Sequence, residues 1–568
     1  MDRTRQSHRA RAAPCGPAGA PRPGRDRRAA LTLPPGRGLL ARTNPTGVGY
    51  DHGPISSGRV RSKPRLDSAA PSNFEHPNMT HTQAIPTASV AEDFRRSPVV
   101  RNAISAVIGE LRARQSSITA VRGPRSAESR QSYERLLKLA AETRGRALFY
   151  PYLGSGLGHG PFVELADGSV KLDMITGIGV HFFGHSDPEL TGVALEAALN
   201  DTVQQGHLMA NTEAIQLGET LLTEAKRGSR LEHVFLCNSG AMANENALKV
   251  CLQKHAPASR ILAFAHCFMG RTWAMSQIGD SAANRQGLPL NVLVDYMPFY
   301  DPAVARRMSA GDASGATRFI DMAVSHLRQS IERYPGQHAC FIFELVQGEG
   351  GFNTAPPEFH RELMKVCKDA GIAVWDDEVQ TFGRTERMFC YDALGLGEYV
   401  DVCCVGKMSQ VCAALFTKAY NPKPGLLSGT FLSTADAVHV GRRIIERLRD
   451  GDYYGEQGRI ARHHRAFSQQ VRSLAQRHPE WFPPSPEVPD IVGGFGGMMR
   501  FSPFGGKKEP MIKLCHNLFE DGVISFYCGH GPFHVRFLPP LGVMEEALWP
   551  TVFSIVEKSM SRTASEIK

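Results

Sequence analysis

Four segments of this 568-residue chain carry side chains whose type and setting suit chemistry. After the apolar run His233-Val234-Phe235-Leu236-Cys237 comes Asn238-Ser239-Gly240-Ala241, a small-residue turn opening a helix. Free backbone N–H groups and the helix dipole make such a turn an anion or phosphate site, although the same residues would serve as an ordinary helix cap. The run Ile372-Ala373-Val374-Trp375 ends in Asp376-Asp377-Glu378-Val379-Gln380. A carboxylate there would hold a buried cation or a protonated ring nitrogen, and Gln380 would donate to a phenolic oxygen; a loop of solvated acids is the alternative. Val402-Cys403-Cys404-Val405 leads into Gly406-Lys407. A lysine so placed is partly desolvated, which lowers its pKa and suits Schiff-base chemistry, unless it simply leaves the strand toward solvent. Finally, Arg536 lies within the apolar stretch Phe533 to Leu541, where a buried guanidinium needs a carboxylate from the protein or from a substrate.

The elements that must position these groups follow from the hydrophobic pattern. Residues 1–95 are expected to form a disordered basic leader, since 11 Pro and nine Gly precede Met79 and apolar periodicity is nearly absent. Three explanations compete: a transit peptide, a nucleic-acid-binding arm, or translated sequence upstream of a start at Met79. Prolines at 14, 17, 21, 23, 34 and 35 break the amphipathic helix a transit peptide needs, which favours the upstream start. Residues 96–175 read as an N-terminal helical arm, with helices from Ser97 and around Tyr133 to Ala141, followed by two short strands. Residues 176–425 alternate helices with short, continuous apolar strands, the signature of a parallel sheet covered on both faces. Residues 426–568, opening on a long helix from Ala435 to Arg449, form a smaller second domain. In a doubly wound sheet, ligands bind where strand C-termini meet helix N-termini, and the first three motifs fall there.

Composition excludes several function classes. The net charge of +9 resides entirely in the first 78 residues, which hold 14 basic and five acidic side chains; the remainder is neutral. The folded part therefore gives no charge argument for nucleic acid or anionic membranes. No apolar run approaches the roughly 20 residues of a membrane helix. The 12 scattered cysteines, with no C-x-x-C pair, suit a reducing compartment. Expected localisation is cytoplasmic, or the mitochondrial matrix if the leader is a transit peptide. No Walker-type loop is present, and Gly154 to Gly160 follows no convincing strand, so neither phosphate-loop nor dinucleotide chemistry is supported. Cys528, His530 and His534 lack a second cluster and read as loop residues, so no metal is expected. His463-His464 reads as a solvated pair in a basic helix.

From about Gly177 to Leu541 the chain resembles the class III (omega-amino acid) aminotransferases, fold-type I enzymes that use pyridoxal 5′-phosphate. The motifs carrying the resemblance are Gly184-His185-Ser186-Asp187-Pro188, Ser239 to Glu245, Phe268-Met269-Gly270-Arg271-Thr272, Glu344 to Gly351, Asp377 to Thr381, Gly406-Lys407, Ser428-Gly429-Thr430-Phe431 and Arg536 to Leu541. Lys407 follows Asp377 by 30 residues, the family's spacing. The resemblance implies an α/β fold: a large domain with a mostly parallel seven-stranded sheet covered by helices, and a smaller α+β C-terminal domain. It implies that Lys407 forms the internal aldimine and shuttles the proton, and that Asp377 pairs with the pyridinium nitrogen. Gln380 would contact the phenolic oxygen, Phe268 would stack on the ring, and Gly240 and Ala241 would bind the phosphate. Thr430 would reach the phosphate of the neighbouring subunit, which requires a homodimer with shared active sites. Arg536 would clamp the α-carboxylate and Arg271 a second carboxylate, while Glu349 would neutralise Arg536 when an amine substrate enters.

Departures bear on substrate identity. Met242 replaces an acid and Met269 a His or Trp; Thr381 runs into Phe382-Gly383-Arg384 one residue early; Leu432-Ser433-Thr434 replaces Gly-Gly-Asn. Lys407 to Cys412 resembles the lysine 6-aminotransferase branch, whereas Gly177-Ile178-Gly179-Val180 leans to the acetylornithine branch. The expected reaction moves the omega-amino group of a lysine, ornithine or acetylornithine type of donor to 2-oxoglutarate. The alternatives are an aminomutase or decarboxylase on the same scaffold, or a catalytically silent binding or regulatory homologue.

Overall fold

The computed structural model describes residues 89–567 except 207 and 310. The expected leader therefore lies outside the described residues up to position 88, and a first helix, Val90–Arg96, begins within its last residues. Two further helices, Pro98–Gln115 and Ala127–Arg144, are longer than the periodicity suggested. A Ser126 capping box starts the latter and Gly145, in the left-handed region, ends it.

The central element is a seven-stranded sheet. Its strands are β1 (His233–Cys237), β2 (Arg260–Phe264), β3 (Leu293–Met297), β4 (His338–Phe343), β5 (Ala373–Glu378), β6 (Val402–Val405) and β7 (Cys412–Phe416). Their spatial order is β1-β7-β6-β5-β4-β2-β3. All neighbours are parallel except β7, which runs antiparallel to both β1 and β6. Strands β4, β5 and β6 are buried along their whole length, because helices cover both faces and every side chain must be accommodated in a core. One face packs Trp375, Cys404 and Ile261 under the helix Gly240–Lys254. The other packs Phe264, Phe341, Phe343 and Phe359. This is the mostly parallel α/β sheet that the apolar strand pattern predicts.

Toward the C-terminus a four-stranded antiparallel sheet is built from β8 (Val492–Phe495), β9 (Met498–Phe501), β10 (Phe526–Cys528) and β11 (His534–Phe537), in the order β8-β9-β11-β10. Phe501, Phe537 and Trp549 pack with Phe467 beneath it. One reading is extended and one expectation is corrected in these regions. Gly154–His159 is itself a strand, paired antiparallel with Phe162–Leu165. His463 is buried, its Nδ1 accepting from Trp549 Nε1 at 3.1 Å, and His464 Nδ1 lies 2.6 Å from Gly496 O, so neither is a solvated surface histidine. The inward stripe of that helix is Ile460, Ala461, Phe467, Val471 and Leu474, and His463 lies within it. Among the described residues no helix is long and apolar enough to cross a membrane.

Candidate active site

The carboxyl ends of β1, β2, β4, β5 and β6 converge on a cavity of about 370 Å³, and each brings one motif to it. Of the ten expected site residues, eight line this cavity: Gly240, Ala241, Phe268, Arg271, Glu349, Asp377, Gln380 and Lys407. Arg536 is reached through Glu349, and Thr430 lies on an exposed loop away from the cavity.

At the end of β1 the turn is both a cap and an anion cradle. Ser239 has extended backbone and its Oγ accepts from Met242 N at 3.2 Å. The N–H groups of Gly240 and Ala241 have no acceptor among the described residues, and both residues line the cavity. Gly240 is needed for space: a Cβ there would lie 2.7 Å from Val379 Cγ1.

The acidic motif belongs to β5 rather than to a loop beyond it, a correction to the expected strand end at Trp375. Strand alternation then separates its carboxylates, and donors converge on Glu378 and Asp377, whereas both oxygens of Asp376 are buried without a hydrogen-bond partner among the described residues. Glu378, on the face away from the cavity, accepts from Thr381 Oγ1 (2.9 Å), Cys390 N (2.9 Å) and Tyr391 N (3.0 Å). Asp376 is fully buried beside it, and burial next to the Glu378 charge pushes its carboxyl well up. Asp377 alone points into the cavity. It accepts from Asn244 Nδ2 at 2.6 Å and from Val379 N at 2.9 Å. Burial pushes its pKa up, opposed by those donors and by the Lys407 charge.

Lys407 follows β6 with φ of 52°, an uncommon conformation for a side-chain-bearing residue, held where the chain reverses into β7. Its ammonium makes no hydrogen bond or ion pair with the described residues, and desolvation lowers its pKa. Gln380 reaches the cavity from the other side of β5, its Oε1 buried and without a partner. Gly348 makes that approach possible, since a Cβ there would stand 2.6 Å from Gln380 Oε1.

Two residues that the motif reading left without roles, Asn244 and Glu344, organise the walls. Asn244 joins Asp377 to Met269 O, at 2.9 Å. Glu344 accepts from Phe268 N (3.0 Å) and Gly348 N (2.8 Å), fixing the loop that carries Phe268 and the turn that carries Glu349. Burial and the neighbouring Asp377 push Glu344 up to about 8. The signal for both was present: each lies within a motif, Ser239 to Glu245 or Glu344 to Gly351, that also carries expected site residues. Arg384, buried and pushed down to about 9 by desolvation, joins Gly179 O, Thr176 Oγ1 and Pro539 O, and so ties the 176–180 turn to the segment after Arg536.

Arg536, on β11, is fully buried between the rings of Phe352 and Phe526. Its partner is Glu349: Nη1 stands 2.8 Å from Glu349 Oε1, a close charge contact without hydrogen-bond alignment. Burial opposes its charge and Glu349 restores it, leaving the guanidinium pKa raised. Arg271 is exposed at the mouth, 5.5 Å from the Phe268 ring centre, and makes no ion pair with the described residues.

Known proteins resemble this chain in sequence and in fold. Acetylornithine aminotransferase from Brucella melitensis biotype 1 is 27% identical over 400 residues, 68% of this chain and 87% of that enzyme. The same enzyme from Bacillus subtilis (strain 168) is 30% identical over 239 residues, but that match spans only 54% of its length. The solved lysine aminotransferase from M. tuberculosis in the internal aldimine form superposes with a TM-score of 0.63 at 23% identity, covering 75% of this chain and 99% of that one, a likeness of fold. The family profile described as aminotransferase class-III matches residues 155–558. With a match over most of its length that takes in every one of the expected site residues, this chain belongs to the class III aminotransferase family.

Proposed function

We propose that this protein moves the omega-amino group of a diamino or omega-amino acid, of the lysine, ornithine or acetylornithine type, to 2-oxoglutarate, and that it does so as a homodimer. The class III family works with pyridoxal 5′-phosphate, and the residues present fit that group. The cradle at Gly240 and Ala241 offers two free N–H donors to its phosphate. Asp377, held ready by Asn244, suits the ring nitrogen, the orphaned side chain of Gln380 suits the phenolic oxygen, and Phe268 supplies a stacking face. Bound there, the cofactor supplies the electron sink that lets an amine-bearing carbon lose a proton.

The observation that carries the reading is an uncommitted amine, Lys407, and an ion-paired carboxylate clamp, Arg536 with Glu349, at one cavity. Desolvation lowers the pKa of Lys407, which favours its role of accepting a proton from the substrate carbon and returning it to the neighbouring position. Arg536 receives the α-carboxylate of glutamate or 2-oxoglutarate once Glu349 swings aside. With Glu349 in place the clamp is neutral, and a donor entering amine first meets no unpaired cation. Arg271 at the mouth is available to a second carboxylate. Thr430, exposed on its loop, would serve the phosphate site of a second copy.

The test is a visible absorption spectrum of the purified protein with pyridoxal 5′-phosphate, followed by lysine, ornithine, N-acetylornithine and glutamate in turn. Conversion to the pyridoxamine form by one omega-amino donor, with glutamate formed from 2-oxoglutarate, is expected. A protein that binds the cofactor but is converted by none of the omega-amino donors would overturn the donor assignment.

A further inference from the structure

Arg536 has a neighbour that the proposed reaction does not use. In the antiparallel pairing of β9 with β11, Arg500 stands directly opposite Arg536, so both guanidiniums leave the same face of the C-terminal sheet. Arg536 has Glu349 as its carboxylate. Arg500 has none: it forms no ion pair with the described residues. Its Nη1 donates to Ser502 Oγ at 3.1 Å and reaches His534 Nδ1 at 3.4 Å, and its Nε is buried without a partner.

What Arg500 faces is a second cavity, of about 400 Å³, on the reverse side of the turn that carries Glu349. Gln347 and Gly350 form its floor, while Glu349, between them in sequence, points into the cofactor cavity. Asn353 and the stacked rings of His266 and His530, 5.1 Å apart, add further polar groups. Acids at the rim are already engaged or distant: Asp490 pairs with Arg306 at 2.8 Å, Asp301 caps the helix Pro302–Met308, and Glu487 makes no ion pair with Arg500. Space for the guanidinium is provided by Gly493, where a Cβ would lie 2.7 Å from Arg500 Nε and Cζ.

We infer that this cavity is a binding site for a small oxyanion, a carboxylate or a phosphate, held by Arg500 and distinct from the cofactor cavity. A desolvated guanidinium without a carboxylate is costly, and a planar bidentate oxyanion satisfies it. The anion would sit behind the Glu349 turn, against the strand next to the one that carries Arg536.

Calorimetric titration of the holoenzyme, its cofactor cavity filled, with inorganic phosphate and separately with succinate tests this inference. Saturable binding is expected for at least one probe, and which one binds distinguishes a phosphate from a carboxylate site. Arg500→Met and Gly493→Ala should weaken binding at this site by about tenfold or more, whereas Arg536→Met, which removes the proposed substrate-carboxylate clamp, should leave phosphate binding unchanged. Binding that survives Arg500→Met with the Arg536 clamp also removed, or phosphate binding that is lost only in Arg536→Met, would place the anion elsewhere and overturn the assignment. Should Arg500→Met fail to fold, wild-type crystals soaked in bromide decide the matter. An anomalous peak in contact with Arg500 is expected, and its absence while other sites fill overturns the inference.

Discussion

Asn244 Nδ2 donates to Asp377 Oδ2 at 2.6 Å, so the helix that begins at the anion cradle also holds the one carboxylate of the Asp376-Asp377-Glu378 run that faces the cavity. The cradle and the carboxylate are thereby set at a fixed separation by a single rigid element.

Asn244→Ala should therefore weaken cofactor retention without unfolding the chain. Loss of a hydrogen bond to a charged group is worth about 1.5–3 kcal/mol, or roughly 10- to 150-fold in affinity. Titration of the apoprotein with pyridoxal 5′-phosphate, followed by absorbance, checks this; unchanged affinity would show that Asp377 needs no support.

Lys407→Ala should abolish turnover, with kcat down by about 10³-fold or more, since both the amine and its proton transfer are lost. Far-UV circular dichroism should remain that of the parent. An active variant would remove Lys407 from the mechanism.

The clamp and its neutralising partner should separate kinetically. Arg536→Ala should raise KM for glutamate and 2-oxoglutarate by about 10- to 100-fold, the value of a charge-assisted pair. Glu349→Gln, which leaves Arg536 permanently charged, should slow the omega-amino half-reaction more than the glutamate one. Half-reaction rates from single-turnover spectra distinguish the two, and equal effects on both donors would argue against a switching role.

Glu344 gives a pH dependence of known sign. Its pKa is about 8 in the folded chain against an ordinary 4.5. Between those values the folded state holds a proton that the unfolded state has released, so stability falls as pH rises through this window and levels off above it. In the apoprotein, Glu344→Gln should flatten that portion of the curve in denaturant titrations from pH 5 to pH 8.5. A curve identical to the parent's would mean that Glu344 ionises normally.

The fold's periodic part could be read directly. Continuous apolar strands such as Ala339 to Phe343 have only one stable environment, a sheet covered on both faces, and they lie there. The cavity residues were legible because each motif ends a strand. Chain pattern could not show which of three adjacent carboxylates turns toward the cavity; that depends on strand alternation continuing to Glu378 and on donors from distant segments, Asn244 and Cys390 among them. His463 and His464 were misread because a basic helix suggested solvent, whereas Trp549, 86 residues further on, buries the first of them. The pairing of Arg500 with Arg536 was likewise hidden, since it rests on the register of a sheet whose strands show no strong alternation.

The sheet order has a consequence for how the protein matures. Between the cradle strand β1 and the lysine strand β6 lies β7, the last of the seven to be synthesised and the one that reverses direction. Until it inserts, β1 has no neighbour in the sheet, and the cradle and Lys407 are not yet opposed. The cofactor thus finds its full set of contacts only on a chain that has completed the longest-range pairing of this seven-stranded sheet. Its capture is a late event that rewards finished molecules and holds no half-built ones.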